Sequence, residues 1–483
     1  MKKVLSTIAA LGLVAGIATS ASALELKVKG TYTVDGFYMD NGAGAAPGSA
    51  PAGTAAPVAS SGNGLQLASN PSDPATKSDS WLQHMFNIDS ELVVNDKISM
   101  MSRVRLISWG TVWGVQDDTN PNNGNNMSVD KLWMAYKSPI GNWGIGRRNA
   151  GAWGLSFVDQ DYGGDRIFWD SAKLFGDVFS TYAFYEKLVE GEAYVKNVDK
   201  LDSDYYEIGA TLTGGWGKAT LAYGVTQDNT KDSVDAAAVA AFPGAAATLT
   251  TPAFPATAAI PAFYGYETTT HRIKGVGQLK FGGNMGLDTE FDYKFGTKDY
   301  NLATKADQDL SQFAFLADFY ATMDALTGHA MYFHTSGDNN SADNDNDNYY
   351  GTGTDFEPLY ILTGVFGNIL NNSYQGAASA SSFGDAAKKA GVNAGVLSAD
   401  FAATQALTLH GAIGYAVADK EMAGYDNDYG FEYNAGASYK LLDNLVYAVH
   451  LGYLDTGDFF KLGKTYKDTN SILLASHHLT MSF

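Results

Sequence analysis

The chain of 483 residues has no cysteine. Disulfides are therefore excluded, although a soluble secreted fold would have had the chance to use them, and so is covalent haem attachment by this chain itself. Stability has to come from packing and backbone hydrogen bonds. Long apolar runs are also missing. Beyond the first two dozen residues no stretch approaches the roughly 20 consecutive apolar residues of a spanning helix. A mature chain that enters a membrane does so as strands. Basic residues are scarce, with 32 Lys and Arg against 52 Asp and Glu and a net charge of −20, which argues against a nucleic-acid partner.

What is present begins with MKKVLSTIAALGLVAGIATSASA. It has a positive start at Lys2 and Lys3, an apolar run from Val4 to about Ala18, and small residues ending in Ala21-Ser22-Ala23. These are the marks of a secretory signal peptide, residues 1–23, with cleavage after Ala23. Its removal lowers the basic count from 32 to 30 and moves the net charge from −20 to −22. Residues 24–483 show no composition break that would mark a separate soluble domain. They combine 53 Gly, 28 Tyr and 25 Phe with a mean hydropathy slightly below zero. Alternating inside and outside residues give that average, whereas a helical membrane protein would be strongly apolar.

The last segment, SILLASHHLTMSF, alternates and ends on an aromatic ring. Leu473, Ala475, Leu479, Met481 and Phe483 share one face, with His477 as its exception, while Ile472, Leu474, Ser476, His478, Thr480 and Ser482 fill the other. A final strand closing on Phe483 resembles the terminal strand by which outer-membrane barrels are recognised for assembly. The expectation is a Gram-negative outer-membrane protein in contact with outer-membrane lipid and with the assembly machinery.

Between the ends, alternating segments about ten residues long recur, joined by connections that are alternately short and long. The short turns fall at Asn95–Lys97, Pro139–Asn142, Phe175–Asp177, Gly215–Gly217, Gly282–Asn284, Asp324–Thr327, Thr404–Ala406 and Leu442–Asn444, most of them rich in Gly, Asn, Asp or Pro. The long connections span about 39–80, 111–127, 151–164, 188–203, 228–266, 297–308, 337–387, 419–429 and 457–470. Eight short and nine long connections predict an all-β transmembrane antiparallel barrel of about 18 strands, or 16 with one hairpin fewer, with short periplasmic turns and long extracellular loops. The barrel must be closed, because unpaired strand edges cannot be satisfied in hydrocarbon.

In WLQHMFNIDSELVVN, Leu82, Phe86, Ile88, Leu92 and Val94 alternate with Gln83, Asn87, Asp89 and Glu91, a lipid face against a wet lumen, with His84 and Ser90 as polar exceptions. Arg103 and Arg105 share one face of the next strand. Tyr, Trp and Phe near segment ends suit interfacial aromatic girdles. Two low-complexity stretches, near 41–62 and from Ala236 to Ala262, carry no function that can be read from them.

The most informative interior stretch is WGIGRRNAGAWGLSFVDQDYGGDRIFW, Trp143 to Trp169. A strand ending in Arg147-Arg148 runs into a long loop with Asp159, Asp161 and Asp165 and the pair Gly163-Gly164. Here the chain resembles the enterobacterial general porins, in which a Gly-Arg-Asn strand end precedes an outer loop with an acid-aromatic-Gly-Gly-Asp motif that folds into the barrel and constricts it. The resemblance implies a trimeric, water-filled channel for passive diffusion of small hydrophilic solutes and ions. It places Gly146 with Arg147 or Arg148 at the strand end and Asp161-Tyr162-Gly163-Gly164-Asp165 at the loop motif, with Asp161 as the eyelet acid. Arg103, Arg105 and Arg166 are positioned to face such an acid. The doubled arginine leaves open which one faces the pore.

Other constellations are less productive. In SADNDNDNYYGTGT, Asp343, Asp345 and Asp347 have the spacing that opens a calcium loop, but Asn348 stands where Gly is needed and Thr354 where the bidentate Glu belongs. The following FEPLYILTGVFGNIL is apolar enough to pack in the barrel mouth, against a neighbouring subunit, or onto its own loop. His477 and His478 point to opposite faces and cannot share a metal. The glycine spacing of GIGRRNAG is wrong for a dinucleotide fingerprint, and no nucleophile-base-acid set stands out among eight scattered His. The reading is a non-enzymatic porin without a cofactor. Its rivals are a barrel sleeve holding a partner such as a multihaem cytochrome, and an outer-membrane adhesin or enzyme.

Overall fold

The computed structural model describes residues 24–40, 68–69, 78–113, 127–151, 153–159, 162–171, 175–191, 201–231, 265–301, 305–340, 343–349, 355–364, 370, 390–421, 425–461 and 468–483. The signal-peptide residues, both low-complexity stretches and Asp161 lie outside that set.

Eighteen long strands follow one another. The first six are β1 (Glu25–Asp40), β2 (Asp79–Val93), β3 (Ile98–Val112), β4 (Ser128–Ser138), β5 (Gly141–Ala150) and β6 (Tyr162–Asp170). Then come β7 (Phe179–Val189), β8 (Ser203–Gly214), β9 (Gly217–Lys231), β10 (Tyr266–Phe281), β11 (Met285–Tyr300) and β12 (Gln308–Met323). The last six are β13 (Leu326–Thr335), β14 (Val392–Ala402), β15 (Leu407–Val417), β16 (Asp428–Leu442), β17 (Leu445–Thr456) and β18 (Ile472–Ser482). Each pairs antiparallel with its sequence neighbour, and β18 pairs with β1 from Thr31↔Ser482 to Asp40↔Leu473, so the sheet closes on itself. Closure leaves no strand edge in hydrocarbon, which is the condition for strands to span a bilayer.

All eight short turns join strands at one end of the barrel, and their local chemistry explains them. The Asn95 side chain accepts the backbone N–H groups of Lys97 and Ile98 at 2.9 and 3.0 Å, folding the β2–β3 turn. Gly282 supplies the left-handed φ of 69° that the β10–β11 turn requires. At the seam, Gly30 N–H donates to the Phe483 carbonyl at 2.9 Å and Phe483 N–H donates back to Gly30 at 3.0 Å. The Phe483 ring lies over Gly30, where any Cβ would overlap it, and its centroid is 6.4 Å from that of Phe86.

The outer face carries Ile208, Leu212, Leu221 and Leu397, each at least half exposed, as expected of side chains that meet lipid acyl chains. Its polar exceptions are paired: Tyr32 Oη lies 3.2 Å from His84 Nδ1, and the Ser90 and Ser102 hydroxyls are 2.6 Å apart. The inner face is polar over most of the circumference. It turns apolar at the long-loop ends of β12 to β18 and of β1, where Leu316, Phe333, Val392, Val396, Leu454, Ile472 and Met39 are buried. These residues pack against loop segments inside the barrel, including the 3-10 turn Asp458–Lys461 with buried Phe459 and Phe460. This is why Ile472, Leu473 and Leu474 are all apolar although successive residues point to opposite faces.

Candidate functional site

Among the described loop segments that turn into the lumen, two are held by carboxylates of the wall. The first, residues 151–159, leaves β5 through Gly151 and Gly154, both in the left-handed region at φ 78° and 77°. Leu155 N–H and Val158 N–H donate to the Glu290 carboxylate at 3.0 and 3.3 Å. Glu290 sits on β11, six strands around the wall from β5, and is fully buried. Gly154 lies against this carboxylate, where a Cβ would overlap it. Further along, the buried Phe157 ring reaches β13, 6.0 Å from Phe333. The segment therefore crosses the lumen as a chord.

The second segment, 355–364, follows β13 and packs on β15 to β17. Ile361 and Leu362 N–H donate to Glu432 of β16 at 2.8 and 2.7 Å. Leu359 fills the hollow left by Gly414 and Ile361 that left by Gly452. The Tyr360 ring lies 4.6 Å from His450 and 6.0 Å from His410, and burial pushes its phenol well above the ordinary range. Both segments are thus held in the same way. Buried backbone donators need acceptors, and one inward carboxylate on the wall takes two of them. Phe356 lies 5.0 Å from both Phe157 and Phe333, so the two segments meet in an aromatic contact.

The charges around them are largely paired, with Arg and Lys as the cations on one side and His on the other. On the side of β5 to β11, Arg166 pairs with Glu186, Arg272 binds Asp292 through Nε at 2.8 Å, Lys274 meets Glu207 at 2.9 Å, and Lys294 lies 4.1 Å over the Tyr349 ring. Trp153 is fixed there by its indole N–H, which donates to Tyr182 Oη at 2.5 Å, and by Lys274, 4.4 Å from its ring. On the other side His and Asp alternate around the inner wall: His329 with Asp318 at 2.8 Å, His410 with Asp400 at 2.9 Å, and His478 with Asp35 at 2.8 Å.

The residues singled out in the sequence fall in different places. Arg148 points inward, its guanidinium 4.1 Å from the Phe168 ring. Arg147 points to the outer face with Ile145 and pairs with the equally outward Asp165 at 3.3 Å. Asp159 braces its own loop by accepting Trp153 N–H at 3.3 Å. Arg103 and Arg105 are inward but matched, by Asp89 at 2.7 Å and Asp130 at 3.1 Å. Arg166 is inward on β6, the strand leading back from the loop, and what the loop meets on the far wall is Glu290 and Phe333. His477 covers Gly36 on the outer face while His478 faces inward. Glu290 and Glu432 had no distinguishing mark in the sequence beyond alternation with aromatic neighbours.

No protein-family model matches the chain, and no curated protein matches it in sequence. Among solved structures it is similar to OccK11 (OpdR) of Pseudomonas aeruginosa at 9% identity, over 94% of this chain and 96% of that one, with a TM-score of 0.47. A BenF-like porin from Pseudomonas fluorescens shares 11% identity over 95% of this chain and 99% of its own, with a TM-score of 0.47. The outer membrane channel DcaP of Acinetobacter baumannii shares 11% over 96% and 99%, with a TM-score of 0.43. The fold is a closed antiparallel barrel of 18 long strands with an apolar outer face, the architecture of transmembrane β-barrels. An apolar outer band on a barrel without free strand edges suits a bilayer, and even-numbered antiparallel barrels of this kind are the outer-membrane type.

Proposed function

We propose that this barrel is an outer-membrane porin, a passive diffusion channel for small hydrophilic solutes and ions, narrowed by the 151–159 segment. The observation that carries this reading is the anchoring of that segment by Glu290, six strands from the strand it leaves. A loop that only capped the mouth would have no need of a buried acceptor deep on the far wall. Barrels of about 16 to 18 strands enclose an aqueous lumen, unlike eight-stranded ones. The dense charged pairs on the β5 to β11 wall and the Asp–His pairs opposite give the lumen strong local fields, which favour polar solutes and raise the barrier to apolar ones. The work is steric and electrostatic, with no bond made or broken. Assembly through Phe483 and a homotrimeric state complete the proposal, the latter on the resemblance to general porins.

The test is swelling of liposomes containing the refolded mature protein in neutral sugars of increasing size. Entry of small sugars and exclusion of large ones is expected. Liposomes that stay closed to every sugar, with a haem protein co-purifying from cells, would support the sleeve instead.

A further inference from the structure

Beside the 355–364 segment the inner wall carries imidazoles on nearby strands. His410 of β15 and His450 of β17 are the direct cross-strand neighbours of Gly436 on β16, and the Tyr360 hydroxyl lies over that glycine. His450 in turn faces Ser476 of β18, two residues from His478 on the same inner face. The His450 and His478 rings stand 5.1 Å apart between centroids, with their planes at 80°.

The two rings differ in what holds them. Asp35, itself 1% exposed, lies 2.8 Å from His478 Nδ1, and the Ser476 hydroxyl lies 3.0 Å from His478 Nε2. A carboxylate at Nδ1 fixes the proton there, so Nε2 presents its lone pair and the hydroxyl donates to it. The His478 side chain is 25% exposed, which leaves it within reach of the lumen. His450 has no hydrogen-bond partner and no carboxylate within ion-pair distance among the described residues. Its neighbours are the Tyr360 ring at 4.6 Å and His478.

An imidazole with an accepting nitrogen, next to a second whose nitrogens are unclaimed, is a donor set for a borderline divalent cation. Imidazole suits Cu2+, Ni2+ and Zn2+, whereas Mg2+ and Ca2+ prefer oxygen. With metal–nitrogen bonds of about 2.0–2.1 Å, two imidazoles on one ion hold their centroids about 5 Å apart, the separation present here. Asp35 behind His478 supplies the outer carboxylate that orients a metal-binding histidine. No group of three His, Asp or Glu converges on one point among the described residues, so water would fill the remaining positions. The other inward pairs, His329 with Asp318 and His410 with Asp400, each offer a single imidazole.

We infer that His450 and His478 form a binding site for one borderline divalent transition-metal cation on the lumen wall beside Tyr360. The inference goes beyond the channel reading and does not rest on it, because binding needs only water access to the wall, whether or not solutes pass.

The test is titration of Cu2+ into the untagged, refolded mature protein in detergent, followed by electron paramagnetic resonance. One Cu2+ per chain is expected, with two imidazole nitrogens in its spectrum, and a large excess of Mg2+ should not displace it. His450→Gln and His478→Gln should each weaken this site at least about tenfold and remove one nitrogen from the spectrum. His477→Gln, on the outer face, should change neither. Folding of each variant is checked by the shifted mobility of the unheated barrel on gels. His450 has no hydrogen bond to lose, so if His478→Gln fails the check, His450→Gln decides together with the wild-type spectrum. A wild-type spectrum without imidazole nitrogens, displacement of Cu2+ by Mg2+, or full affinity in folded His450→Gln would overturn the site.

Discussion

Replacing Glu290 by Gln should loosen the constriction without disturbing the wall. The carboxylate accepts Leu155 and Val158 N–H at 3.0 and 3.3 Å, and an amide of the same shape keeps only one acceptor and turns an NH2 group toward the other donor. Loss of one hydrogen bond, together with a stranded buried N–H, amounts to about 3 kcal/mol. At about 1.4 kcal/mol per factor of ten, the undocked population of the segment should rise roughly a hundredfold. Phe157 remains packed against Phe333 and Phe356, so the docked state still dominates. The expected single-channel record therefore keeps the wild-type level and adds brief upward transitions to a wider one. Phe157→Ala on the same background removes a further ~3–5 kcal/mol of buried packing and should make the wider level the resting state. Asp288→Asn, two residues away on the same strand, where Gln278 at 3.4 Å is its hydrogen-bond partner, is the control and should show neither effect. Glu290→Gln traces indistinguishable from wild type would refute the view that this carboxylate holds the constriction.

The adjacent arginines should separate in reversal-potential measurements across a potassium chloride gradient. Arg148→Ala, which removes an inward charge, should shift selectivity toward cations, while Arg147→Ala, on the outer face with Asp165, should leave the potential unchanged. Gly30→Leu places a side chain in the volume of the Phe483 ring and should destabilise the β18–β1 seam by about 1–3 kcal/mol, seen as a lower melting temperature of the barrel and a lower yield of folded protein. Deletion of Phe483 should reduce the folded barrel in the outer membrane while secretion across the inner membrane continues. Epitope tags near Ala55 or Ala247 should be accessible on intact cells and a tag at Gly215 should not, since that residue lies in a short turn at the opposite end.

Strands and turns were legible because their signals are local. A period of two fixes what a strand shows to each side, and Asn95 or Gly282 closes a turn through its own backbone chemistry. The inward course of 151–159 was legible only through the resemblance around Asp161-Tyr162-Gly163-Gly164-Asp165. Its landing point was not, because Glu290 lies 135 and 132 residues from the two N–H groups it accepts, and a contact of that span leaves no periodic trace. In EFDYKF the alternation of Glu290, Asp292 and Lys294 with aromatic rings reads as a wet lumen. That Glu290 and Asp292 are instead fully buried depends on what the loops place over them. The orientation of Arg147 was within reach, since it shares a face with Trp143 and Ile145, whose apolar side chains belong with lipid. The doubly apolar Ile472-Leu473-Leu474 needed knowledge of the loop segments that pack inside.

The most direct test of the channel itself is a planar-bilayer recording of the refolded mature protein in symmetric potassium chloride. An open lumen narrowed by a docked loop should insert in discrete steps of uniform conductance, each step ohmic at low voltage. A folded barrel that inserts and stays electrically silent would contradict it.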